Sequence, residues 1–437
     1  MRNFTKLVLL VGFHFSSWAQ DLDTLTLESA LATALENNFQ IRLAKNNSRI
    51  AQNNNSLGNA GFLPIVTAQG RWDNSVQNTE QEFLDGRTQS VSGAEREQLT
   101  LGADLAWTVF DGLVMFAARD RLANQSLLAR QELKVGVDNA MAEVMNLFYS
   151  VALEQERLAL FESNIDFSEN RVTIVQQKYD VGKESKLSLL QAKVDLNADR
   201  SALLQQQELL ALRKLSLLRS IGVGADASFG VSYELKVDSL LSLPELLDDA
   251  KGMNPNLQRE VINQRVLEQQ RLELVRGRIP QLDVNLGYSY SDLESEAGFL
   301  FRNQTDGFSY GLSARVTVFD GLNRERQIQN AVVQQENTDI SFENVQNEIE
   351  TNIRTVFNTY RNNLRLQQLE RDNLEVAREN SDIALERFRL GASDALELRE
   401  AQVNAVNAEI RFLQSVFNSK LAEIELQRLS GRISEQN

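Results

Sequence analysis

Carboxylates dominate the side chains able to do chemistry. The 437-residue chain carries 60 Asp and Glu against 45 Lys and Arg, with one histidine and no cysteine. The lone histidine, His14, falls in a stretch that reads as a secretory leader. Arg2 and Lys6 precede an apolar run from Leu7 to Phe13, and Ser17-Trp18-Ala19 places small residues at the −3 and −1 positions of a cut after Ala19. The mature chain then has neither His nor Cys. That excludes Cys- and His-ligated zinc, cysteine nucleophiles and Ser-His-Asp triads, and with them disulfides and a lipidated N-terminal cysteine. A secreted hydrolase using paired carboxylates is the remaining enzymatic option. The pattern described below leaves it no compact pocket-forming unit, so the expectation is no catalytic residue, no metal and no cofactor. Net charge moves from −15 to −17 (−15 − 2) once Arg2 and Lys6 are removed. A chain this acidic does not suit nucleic acid, whose binding rests on phosphate neutralisation.

The elements follow from a duplicated turn. Thr108-Val109-Phe110-Asp111-Gly112-Leu113 recurs as Thr317-Val318-Phe319-Asp320-Gly321-Leu322, 209 positions later (320 − 111). Each copy ends an alternating stretch and opens a helical one. Phe110, Asp111, Gly112 and Phe319, Asp320, Gly321 are the strand-to-helix turns, with the aspartates as helix N-caps. Other positions match at an offset of 216: Ala34 with Ala250, Asn38 with Asn254, Pro64 with Pro280. The duplication divides the chain into a leader (1–19), repeat 1 (20–224), a linker (225–242) and repeat 2 (243–437). Repeat 1 holds short helices, a strand hairpin over 65–110, a long helix over 112–180 and a return helix over 185–222. Repeat 2 holds the counterparts: a hairpin over 281–319, a long helix over 321–389 and a return helix over 394–431.

The strands alternate strictly. Leu99, Leu101, Ala103, Leu105, Trp107 and Val109 share one face, with Thr100, Gly102, Asp104, Ala106 and Thr108 on the other. Leu282, Val284, Leu286, Tyr288 and Tyr290 form a matching apolar face, as do Phe308, Tyr310, Leu312, Ala314, Val316 and Val318. Alternation over about ten residues with aromatics near the ends is the signal of a transmembrane barrel strand. Residues 74–97 and 292–307 read as polar loops. On the opposite face, Arg71, Asp73, Asp104, Asp283 and Arg315 are expected inside the barrel. No stretch approaches 18 apolar residues, which leaves a closed barrel as the only spanning route.

The long helices carry coiled-coil spacing: Met141, Val144, Phe148, Val151, Leu158 and Ile165 in one, and Phe342, Val345, Ile349, Ile353, Val356 and Tyr360 in the other. The apolar stripes of the return helices read as Leu187, Leu190, Val194, Leu203, Leu210 and Leu217, and as Val403, Val406, Ile410, Leu413, Phe417, Leu421 and Ile424. A 67-residue helix is about 100 Å long, which is the order of a periplasm. Gly182 and Gly391 break the helices at their tips. Four strands cannot close a barrel, for which about eight is the minimum, so several copies must share one. Two chains would give eight strands and three would give twelve.

In this order the signals resemble the TolC-type outer-membrane efflux protein family over residues 20 to about 433. The resemblance implies a mixed membrane protein: a transmembrane β-barrel shared between protomers, continuous with a long α-helical barrel. It also implies a homotrimer in the Gram-negative outer membrane with helices extending into the periplasm. The partners would be a periplasmic adaptor protein, an inner-membrane transporter of RND or ABC type and the lipid bilayer. The function would be passive exit in a tripartite efflux pump or a type I secretion system. The adaptor-facing tips would be Val181, Gly182, Lys183, Leu187, Leu390, Gly391, Ala392 and Leu396. Glu397 and Glu400, six and nine residues past the second tip glycine, would ring the periplasmic gate. Some family members lock the tip helices through a Tyr and an Arg that flank this glycine. Phe388 and Ser393 occupy those positions here, with Leu187 and Ser188 at the partner positions. Arg387, Arg389 and Arg399 are the nearby cations. The rival reading is an exported coiled-coil scaffold without a pore.

Overall fold

The structure is a computed structural model, and it describes residues 24–226, 229–233, 237–238, 240–298 and 300–433. The expected leader, 1–19, lies outside them. The described residues form β1 (Thr24–Leu25), α1 (Leu27–Asn37), α2 (Phe39–Asn54), β2 (Ile65–Glu82), β3 (Thr88–Phe110), α3 (Val114–Asp180), α4 (Lys186–Ile221) and β4 (Gly230–Val231). They continue as α5 (Leu243–Met253), α6 (Pro255–Arg276), β5 (Gln281–Ser295), β6 (Arg302–Arg315), α7 (Asn323–Leu390) and α8 (Ala395–Ser430). Among the described residues no helix is long and apolar enough to cross a membrane. The described residues gather into two compact units, one within 24–43, 136–253 and 349–433, the other within 44–135 and 254–348.

The second unit holds an antiparallel sheet ordered β2-β3-β5-β6. Its register aligns the alternation across strands: Trp72 opposite Leu99, Leu101 opposite Tyr290, Leu286 opposite Tyr310. One face is therefore apolar across all four strands, and it is exposed: Trp72 at 61%, Leu101 at 47% and Tyr310 at 84%. Among the described residues, both outer edges, of β2 and of β6, are unpaired within the chain.

The strands differ from the expectation at their ends. Residues 74–97 are not one loop, because β2 and β3 stay paired until Glu82 meets Thr88. The added residues are mostly polar and extend the ladder by backbone pairing, which needs no apolar side chains. Likewise β5 runs on to Ser295 and β6 starts at Arg302. At its other end β6 stops at Arg315, and residues 316–318 are not strand. The second short helix of repeat 1 ends at Asn54 and is followed by turns.

The first unit is a helical bundle. Met141, Val144, Phe148 and Val151 of α3 are buried with Leu210, Leu217 and Ile221 of α4 and with Ile424 of α8. The short helices dock through their matched positions. Ala34 and Ala250 are buried at 0% and 3%. Asn38 caps α2 through Oδ1 and donates from Nδ2 to Ser220 O at 2.7 Å. The linker carries a strand that sequence reading did not anticipate: β4 pairs in parallel with β1. Side chains also hold the linker, since Gln155 accepts from Val231 N at 2.9 Å and Glu423 accepts from Asp238 N at 3.1 Å.

The stripes expected on the return helices hold at the end away from the tips, where Leu210, Leu217 and Ile424 are buried, and depart from the chain's own seams nearer the tips. On α4, Leu187, Leu190 and Val194 are exposed, while Leu189, Ala192, Leu196 and Asp199 are buried. On α8, Ala401, Ala408, Ser415 and Ala422 face inward at seven-residue spacing, whereas Val403 is exposed and Val406, Ile410, Leu413 and Phe417 are half-buried. Small residues let neighbouring backbones approach, so they line the seam within the chain. The larger side chains cover a face that the chain does not fill.

Candidate functional site

The two helix tips, between α3 and α4 and between α7 and α8, are built alike. Gly182 and Gly391 take positive φ of 71° and 77°. Lys183 N returns to Lys178 O at 2.8 Å, and Ala392 N to Arg387 O at 2.8 Å. Ser185 and Asp394 cap the return helices. The eight tip residues Val181, Gly182, Lys183, Leu187, Leu390, Gly391, Ala392 and Leu396 are all exposed. Four of them are large and apolar, with Val181 at 68%, Leu187 at 75%, Leu390 at 84% and Leu396 at 74%.

The two glutamates differ. Glu397 lies in the first turn of α8 and accepts from Arg387 at 2.7 Å. Glu400 is exposed and has no ion-pair partner among the described residues. Of the cations singled out in the sequence, Arg387 is spent on Glu397 and Arg389 pairs with Glu386 at 2.7 Å. Phe388 is fully buried beside Val175, Leu189 and Leu398. The Lys178 ammonium sits 3.8 Å from its ring centroid and donates to its carbonyl. The phenol-lacking position thus still joins α7 to α3, by cation–π attraction and a main-chain hydrogen bond. Among the described residues the Ser393 hydroxyl is buried without a partner.

Beside this cluster lies a polar network that joins three helices. Arg399 of α8 grips Asp199 of α4 with two donors, at 2.8 and 2.9 Å. Ser168 of α3 donates to the same carboxylate at 2.6 Å. Gln402 of α8 donates to Asn164 and Ser168, both at 2.7 Å. Arg171 of α3, 1% exposed, pairs with Asp195 at 2.7 Å and leaves Nε unpartnered. Burial pushes its guanidinium below the ordinary value, against the pull of Asp195. A cavity of about 380 Å³, lined by Arg171, Asp195, Arg399, Leu187 and Leu396, opens beside the network. Among the earlier residues only Arg399 belongs to it. The missed signal is the 4, 3, 4 spacing of Asn164, Ser168, Arg171 and Val175 on α3, a single helix face that is polar up to Val175.

In the second unit the turn residues do what their types suggest. Asp111 accepts from Met115 N at 2.7 Å and Asp320 from Arg324 N at 2.9 Å. Gly112 and Gly321 have φ of 74° and 72°, and so, unusually, do the leucines that follow: Leu113 at 72° and Leu322 at 62°. The polar face of the sheet carries Arg71 paired to Asp73 at 2.5 Å, Asp104 accepting from Gln69 at 3.0 Å, and Asp283 accepting from Thr108 at 2.7 Å. At the borders of the apolar face both indoles are satisfied, Trp72 by Glu97 at 2.6 Å and Trp107 by Phe62 O at 3.0 Å. That is how a ring with one wet edge sits at a membrane boundary.

Comparison with known proteins places this geometry. The sequence model of the outer membrane efflux protein family matches residues 30–223 and 246–432. The chain is 20% identical over 427 residues to the probable efflux pump outer membrane protein TtgC of Pseudomonas putida, covering 95% of this chain and 84% of that one. Its fold resembles the outer membrane protein VceC of Vibrio cholerae, with a TM-score of 0.72 at 17% identity over 93% of this chain and 96% of the other. It also resembles the CmeC outer membrane channel of Campylobacter jejuni, with a TM-score of 0.74 at 14% identity over 93% and 85%.

Proposed function

The chain belongs to the outer membrane efflux protein family, and from that premise we propose how this sequence makes an exit duct. It is an outer-membrane channel of an efflux system. Three copies join their sheets edge to edge in a twelve-stranded barrel (4 × 3) and their long helices in a twelve-helix periplasmic tunnel (4 × 3). The repeats, linker and leader are the units set out from the sequence. The observation that carries this reading is the sheet itself, with a continuous exposed apolar face, a polar opposite face and two unpaired edges. Lipid tolerates no free edge, so closure needs other copies. The apolar run Leu99 to Val109 spans ten steps, or about 33 Å of strand, which crosses about 25 Å when tilted by about 40°. That is the height of a barrel's apolar band.

Transport through the duct is passive, and an inner-membrane transporter of RND or ABC type supplies the drive in drug efflux or type I secretion. A periplasmic adaptor docks on the exposed tip residues, where Leu187 and Leu396 offer apolar anchors. Glu397 and Glu400 form the gate, and three copies of each place rings of negative charge at the entrance. Arg387 already neutralises Glu397, so Glu400 carries most of the field. Closure rests on Arg399–Asp199 and Lys178–Phe388, which tie the α7–α8 hairpin to the α3–α4 hairpin where the tyrosine and arginine of other members are missing. Fractionation and an unheated gel test the assembly. The protein should sit in the outer membrane and run as a trimer that collapses to monomer on boiling. A monomer in unheated samples of detergent-extracted outer membrane would defeat the shared barrel.

A further inference from the structure

The two unpaired edges of the sheet are complementary, and the chain contains its own template for joining them. Inside one chain, β3 of repeat 1 pairs with β5 of repeat 2: Ala103 faces Tyr288, Trp107 faces Val284, Thr108 faces Asp283 and, past a bulge at Val109, Phe110 faces Leu282. The repeat 2 counterpart of β3 is β6, 209 positions on. The repeat 1 counterpart of β5 is β2, 216 positions back. Within one chain these two strands lie at opposite edges of the sheet.

We propose that β6 pairs with β2 of a second copy of this chain in the register that β3 uses for β5. The proposal rests on the shared-barrel reading and adds the residues that meet. Leu312 (103 + 209) faces Trp72 (288 − 216) of the neighbouring copy. Val316 faces its Ala68 and Thr317 its Thr67. After a bulge at Val318, Phe319 faces its Val66. The transfer keeps outward residues on the outward face: Leu312 and Val316 join Trp72 and Ala68 on the apolar side, and Thr317 joins Thr67 on the polar side. A register wrong by one residue would mix the two faces.

Three features of the single chain then have one cause. β6 stops at Arg315 although its sequence alternates to Val318, while its counterpart β3 runs to Phe110. The four residues that fall short are those whose partners, near 66–68, lie on another copy. Val318 and Phe319 are 92% and 75% exposed, whereas their counterpart Val109 is 39% exposed and Phe110 is half-buried. The turn glycines differ in the same sense. A Cβ on Gly112 would lie 2.5 Å from Ile279 Cβ and 2.7 Å from Arg276 O, so this turn is tightly covered. At Gly321 the nearest atom is Asn323 Nδ2, at 3.6 Å. The counterpart of Ile279 is Leu63 (279 − 216), which is 56% exposed. Gly321 packs against Leu63 of the neighbouring copy.

The chain has no cysteine, so paired cysteines report the register directly. Opposed Cβ atoms lie about 4.5–5.5 Å apart and diagonal ones about 7–8 Å. In purified full-length protein, Ala68→Cys/Val316→Cys should oxidise to covalent dimers and trimers. The displaced pair Val66→Cys/Val316→Cys should give at least tenfold less, and each single variant none. Thr67→Cys/Thr317→Cys repeats the test from the polar side if the first pair fails to assemble. Preferential linking by the displaced pair would overturn the register. So would the absence of links from both aligned pairs while the variants still run as heat-labile trimers, and in either case the shared barrel would survive. Absence of any oligomer in the parent protein would defeat the shared barrel itself, and the register with it.

Discussion

Asp199→Asn is the most informative single change at the tip. The carboxylate is 8% exposed and takes three donors, two from Arg399 and one from Ser168. The amide keeps the shape but removes the charge and turns a donor group toward the guanidinium. Breaking a buried ion pair costs about 3–5 kcal/mol. The lower end applies here, because the Arg399 side chain is 21% exposed and keeps Asp195 at 3.9 Å and Gln402 at 3.3 Å. About 3 kcal/mol moves a closed-to-open equilibrium by roughly two orders of magnitude. Single-channel recording of the purified variant in a planar bilayer should show higher conductance or longer open dwell than the parent. Asp199→Asn/Arg399→Gln should cost less than the sum of the single changes, which marks the pair as coupled. A lowered melting temperature with unchanged conductance would refute the latch and leave the network a purely structural role.

Three further outcomes follow from the same geometry. Glu400→Gln should reduce cation selectivity and divalent block in bilayers by more than Glu397→Gln, whose carboxylate Arg387 already occupies; if the double variant keeps both properties, the acidic ring is wrong. Leu101→Asp or Leu286→Asp puts a charge on the lipid face at a cost of up to about 2 kcal/mol per site, repeated three times per trimer, and should lower the yield of heat-modifiable trimer; wild-type levels would count against the strand faces. Burial, together with the nearby Glu423 and Asp238, pushes the Tyr360 phenol from 10.0 up to about 12, and it donates to Asp238 O; because the folded value is raised, this contribution is complete below pH 10 and is lost as pH rises through about 12. Tyr360→Phe should therefore flatten the alkaline limb of a stability–pH profile, and an unchanged limb would remove the phenol from the clamp on the linker.

The features most legible in the sequence were those set by backbone geometry. The Asp-Gly turns and the tip glycines each require particular residue types, so their recurrence pointed to the architecture. The strand faces were legible for the same reason, since period-2 alternation survives any packing. Large apolar side chains located the seams of the long helices, where Met141, Val144, Phe148, Val151, Ile353 and Tyr360 are buried, but misled near the tip of α4. Leu187, Leu190 and Val194 are exposed, because the seam of α4 within one chain lies on the face of Leu189, Ala192 and Leu196. The network around Arg399 was hidden because Ser168, Arg171 and Asp199, which belong to it, are polar residues at core positions. The end of β6 was misjudged because pairing, and not alternation alone, decides where a strand stops.

The central claim, that this chain conducts, is tested most directly by adding the purified, unboiled parent protein to a planar lipid bilayer in salt. The account predicts discrete, uniform current steps that vanish when the sample is boiled to monomers. A silent bilayer, from protein shown to be trimeric and inserted, would contradict it and favour a scaffold without a pore.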